Sequence, residues 1–114
     1  MGKKILFFIQ SNPLESHRPA EAIRIALGLA ACNHSIDIIL THHGSLLLSD
    51  PIENLIDGER IQQYMAELKT YIPAIFIDQE KIEKQYISIG YDTIVLERDE
   101  ILKRVATATY CMTF

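Results

Sequence analysis

Apolar residues along the chain alternate between short solid runs and longer stretches in which they recur every three or four positions. Ile5-Leu6-Phe7-Phe8-Ile9 is a continuous run of strand-forming residues, too short for a helix and apolar throughout. Such a run predicts a strand covered on both faces, as parallel sheets require. Gln10-Ser11-Asn12-Pro13 then breaks the pattern, and Ser16 offers a side-chain oxygen to the start of a helix whose first turn tolerates Pro19. Ile23, Ala26, Leu27 and Ala30 place one apolar stripe along that helix, and Asn33-His34 closes it.

Ile36 to Leu40 predicts the second strand, which completes a βαβ unit that is right-handed in nearly every fold containing one. Thr41-His42-His43-Gly44 leaves the carboxyl end of this strand. Ser45 to Gly58 mixes Leu46-Leu47-Leu48 with Asp50-Pro51 and Asp57-Gly58, a pattern expected of a partly buried connection with one helical turn. Ile61, Tyr64, Met65 and Leu68 then follow i, i+3, i+4, i+7 spacing, which predicts an amphipathic helix over Glu59 to Thr70. Ile72 to Ile77 is the third strand, with Pro73 near its start where a missing N–H matters least. A short helix over Glu80 to Tyr86, a strand over Thr93 to Leu96, a helix over Asp99 to Ala106 and a strand over Tyr110 to Phe114 complete the alternation. Strand and helix in strict alternation predict an α/β protein, a three-layer α/β/α sandwich around a five-stranded, mostly parallel sheet, with residues 1–114 forming one domain.

Composition narrows the function classes. A chain of 114 residues with 48% apolar and 23% charged residues can bury one ordinary core. No apolar run approaches the roughly 20 residues that cross a bilayer, and Ile5 to Ile9 is too short for a secretory h-region, so the expected location is the cytoplasm, away from membranes. The net charge of −4 is spread along the chain with basic residues interleaved among acidic ones, which argues against a nucleic-acid partner. Cys32 and Cys111 stand far apart without CxxC spacing, so free thiols are expected, with no zinc cage and no disulfide framework.

Ligands of open parallel sheets bind outside the carboxyl ends of the strands. That rule selects Gln10 to His17, His42 to Ser45, Asp78-Gln79 and Glu97-Arg98. Ser11 and Asn12 present polar groups at the start of a helix, an arrangement that can hold a small anion, although the loop has no glycine for close backbone approach. His17, His42 and His43 can act as base, donor or ligand near neutral pH, but no third metal ligand stands at a recognised spacing, and neither a metal nor a cofactor is expected. Asp78 serves equally well as a helix cap. Cys32 is the candidate catalytic thiol, with His34 within reach. Its place at a helix carboxyl end opposes a thiolate, and the expected role is that of a small buried hydrophobe. Cys111, in the last strand, is expected in the core.

Lys4-Ile5-Leu6-Phe7-Phe8-Ile9-Gln10, the small-residue helix Ala20 to Ala31, Ile39-Leu40-Thr41-His42-His43-Gly44 and the ending Tyr110-Cys111-Met112-Thr113-Phe114 together resemble the DsrE/DsrF-like family, which includes the DsrEFH and TusBCD sulfur-relay proteins. The resemblance runs over essentially the whole chain. It implies five parallel strands with helices on both faces, assembly as homo-oligomers (trimers or hexamers), and sulfur-relay protein partners. It also implies, for some members, a persulfide carried on a cysteine near the end of the third strand. The matching stretch here, Ala74-Ile75-Phe76-Ile77-Asp78-Gln79, has no cysteine. The expected role is therefore a non-catalytic or accessory subunit of sulfur-relay type, working through association, with Leu46-Leu47-Leu48 as exposed apolar surface at the interface. The alternatives are a sulfur carrier or sulfurtransferase using Cys32, assisted by His34 or His42, and a small-anion or ligand-binding module at the carboxyl edge of the sheet.

Overall fold

The computed structural model describes residues 2–48, 54–79 and 91–114. The expected helix over Glu80 to Tyr86 and the Asp50-Pro51 turn lie outside the described residues. The elements are β1 (Lys4–Ile9), α1 (Arg18–Ala31), β2 (Ser35–Leu40), a 3₁₀ segment (His42–Leu48), α2 (Gly58–Leu68), β3 (Ala74–Asp78), β4 (Asp92–Leu96), α3 (Arg98–Thr107) and β5 (Tyr110–Thr113). They form a five-stranded sheet in the order β4-β3-β2-β1-β5, and all four pairings are parallel.

The two residue parities of each strand build two cores of unequal size. Ile5, Phe7 and Ile9 of β1, Ile36, Ile38 and Leu40 of β2, and Ile75 and Ile77 of β3 face the layer made by α1 and α2. Ala22, Ile23 and Ala26 of α1 and Ile61 and Leu68 of α2 close over them. The helix stripes read from the sequence are thus the buried ones. On the opposite face Leu6, Ile39, Phe76 and Leu96 form a smaller cluster beneath α3, which contributes Ile101. Successive right-handed crossovers from β1 to β3 keep α1 and α2 on one side. The return from β4 to β5, past β1, reverses direction and places α3 on the other.

Among the described residues α3 is the helix that covers the second face, and a charged residue helps to seal it. Arg104 of α3 lays its guanidinium 4.0 Å from the Phe76 ring centroid and donates to Asp37 Oδ2 of β2 at 2.9 Å. The arrangement satisfies a carboxylate that interrupts an otherwise apolar strand, and the arginine stem shields the sheet beneath it.

Three expectations are corrected. Leu46, Leu47 and Leu48 are not exposed: the 3₁₀ segment turns them inward to 7, 1 and 3% exposure, because the polar edges of this segment, His42 and His43, take the solvent side. Cys111 is exposed instead of buried, since β5 is an edge strand and α3 does not reach over it. Cys32 is exposed too, at the C-cap of α1, where its N–H donates to the carbonyls of Gly28 and Leu29.

The start of β4 is tied to the start of β3 by Tyr91, whose hydroxyl donates to the Ile72 carbonyl while the Lys69 ammonium stands 5.5 Å from the ring centroid. Burial pushes the Tyr91 phenol up to about 12. The native state therefore holds this proton more tightly than the unfolded chain, whose tyrosines ionise near pH ~10. The contribution is complete below that value and is lost as pH rises through the native one. In alkaline unfolding experiments the wild-type protein is expected to lose stability between about pH 10 and about pH 12 more steeply than Tyr91→Phe. Parallel curves would show that this phenol is not linked to folding.

Candidate functional site

Among the described residues the carboxyl edge of the sheet presents two distinct surfaces. On the α1/α2 side, three segments meet. The 10–17 loop is fixed by the carboxyl end of β5, since the N–H groups of Gln10 and Ser11 donate to the Phe114 carbonyl at 2.9 and 3.3 Å. Asn12 is occupied in shaping the same loop: its Oδ1 accepts from the Leu14 N–H at 2.9 Å, and its carbonyl accepts from Glu15 and Ser16. The Ser16 hydroxyl accepts from the Arg18 N–H at 3.1 Å, as its position before the helix implies. Arg18 reaches across to donate to the Thr113 carbonyl at 3.1 Å.

His17 is drawn to a residue forty positions away. Its Nδ1 lies 2.8 Å from Asp57 Oδ2, while the Ile56 N–H donates to the Pro13 carbonyl at 2.8 Å, so the loop after β1 and the entry to α2 are pinned together twice. Asp57 adopts a left-handed backbone at φ 58° and gives its carboxylate to His17 instead of capping α2. His42 is also left-handed, at φ 51°, with Nδ1 3.0 Å from the Thr41 hydroxyl. His43 is exposed. Among the described residues no three His, Cys, Asp or Glu side chains come together in a manner that could hold a metal ion. Ser11 and Asn12 thus spend their backbone and amide groups on the loop, and His17 is joined to an aspartate, not to another histidine.

On the α3 side lies a cleft of about 230 Å³ lined by Phe8, Asp78, Arg98, Ile101, Leu102 and Val105. Asp78 ends β3 and Arg98 opens α3, so the two charged groups stand near the strand termini. Leu102 and Val105 form the helical wall, exposed at 55 and 38%. A shallower depression beside it is lined by Gln79, Glu97, Arg98 and Asp99. Glu97 and Glu100 form a reciprocal capping box at the start of α3. With Asp99 they make the first turn acidic, which neutralises the attraction a helix N-terminus would otherwise have for an anion. The chemistry on offer is therefore an aliphatic wall with a charged end, suited to a side chain of another protein more than to a phosphate or a carboxylate.

Cys32 and His34 lie at the opposite edge. His34 Nδ1 accepts from the Lys3 N–H at 3.0 Å, so the imidazole fastens the start of β1. β2, six residues long, separates this edge from His42 by about 20 Å, beyond any direct assistance from that histidine to Cys32. Sequence reasoning reached Asp78 and Arg98 through the strand-end rule, but it missed Asp57 and the outward stripe of α3. The stripe carries a readable signal in the i, i+3 spacing of Leu102 and Val105. The partnership of Asp57 with His17 carries none.

No family model matches the chain, and no curated protein matches it. Among solved structures, the YchN protein from E. coli superposes over 100% of both chains with a TM-score of 0.75 at 18% sequence identity. This likeness is one of fold: a five-stranded parallel sheet with helices on both faces. Among the described residues no helix is long and apolar enough to cross a membrane.

Proposed function

We propose that this chain is a DsrE-like accessory subunit that acts by association, with itself or with a sulfur-relay protein of the cytoplasm, and carries no sulfur of its own. The fold shared with YchN is the architecture that the family resemblance implies. The observation that carries the reading is the end of β3. Where the resemblance implies a cysteine for sulfur-carrying members, near the end of the third strand, this chain has Ala74-Ile75-Phe76-Ile77-Asp78-Gln79 and no cysteine, with Asp78 lining the α3 cleft together with Arg98. A carboxylate cannot take up sulfane sulfur, and its charge opposes a neighbouring thiolate.

Restoring a thiol at this position tests the reading. Exposed to an equimolar persulfide donor, Asp78→Cys is expected to gain one sulfur that it passes to an acceptor thiol, while the wild-type chain passes none. Equal transfer by wild type and variant would show that sulfur moves by another residue, and the accessory reading would fail.

A further inference from the structure

We draw no further inference here: the strongest candidate, the outer edge of β5 with its exposed Tyr110 and Cys111, is an apolar strand edge, and nothing in the structure shows what covers it.

Discussion

Phe7→Ala is expected to lower the stability of the protein by about 3–5 kcal/mol, a large part of the roughly 5–15 kcal/mol that holds a domain of this size together. Phe7 is fully buried at the centre of β1, which is paired on both sides by β2 and β5. Its ring stacks on Phe114 with centroids 5.5 Å apart and planes 10° from parallel. Truncation removes the transfer energy of the ring, leaves a cavity between the sheet and α1, and deprives Phe114 of the surface that holds the end of β5. Because the N–H groups of Gln10 and Ser11 donate to the Phe114 carbonyl, loosening Phe114 also loosens the carboxyl-edge loop. Urea unfolding should show a lower midpoint with the slope little changed. Phe8→Ala, next along the same strand but only partly buried on the α3 side, should cost distinctly less. Equal losses would mean that the two faces of β1 are packed alike, contrary to the unequal cores described here.

Gly44→Ala is expected to be nearly as damaging, for a reason of space and not of backbone freedom. A Cβ at this position would stand 1.9 Å from the Ile9 carbonyl oxygen and 2.6 Å from its carbon. Both are backbone atoms of β1 and cannot rotate away. The same oxygen accepts the Thr41 N–H at 3.0 Å, so relief by displacement breaks the junction between the exits of β1 and β2. Overpacking against fixed backbone costs about 3 kcal/mol or more. Gly28→Ala is the natural control. Nothing lies within 4 Å of its added methyl, and the site is on the exposed side of α1, so the same substitution should stabilise by about 0.5–1 kcal/mol through helix propensity. Thermal unfolding of the two variants should move in opposite directions.

Much of the architecture was legible because each βα step writes two different periods into the chain. Ile5 to Ile9 and Ile36 to Leu40 read as covered strands and are, while Ile61, Met65 and Leu68 read as one helical face and are buried together. What escaped the sequence depended on position within the sheet. The rule that parallel strands are apolar and buried assigned Cys111 to the core, but β5 is an edge, and strand order is a property of the tertiary fold. Leu46 to Leu48 lie in a 3₁₀ segment whose lack of a clear period hid which way it faced. At the carboxyl edge the strand-end rule found Asp78 and Arg98, and the loop chemistry of Ser16 was as its position implies. The pairing of His17 with Asp57 joins residues far apart in sequence by an exposed contact, which neither spacing nor hydropathy records.

These placements also separate the candidate thiols from the candidate site. Cys32 lies at the amino edge beside the carboxyl end of α1, Cys111 is exposed on the edge strand β5, and the cleft at the end of β3 is lined by Asp78 and by neither cysteine. The accessory reading therefore stands or falls on sulfur transfer by the native chain. The most direct measurement is the intact mass of the wild-type protein after an equimolar persulfide donor and then an acceptor thiol, with Cys32→Ser and Cys111→Ser alongside. The expected result is no sulfur delivered to the acceptor beyond that from free cysteine in solution, with both variants indistinguishable from wild type. Delivery that depends on Cys32 alone would contradict it and make this chain a carrier.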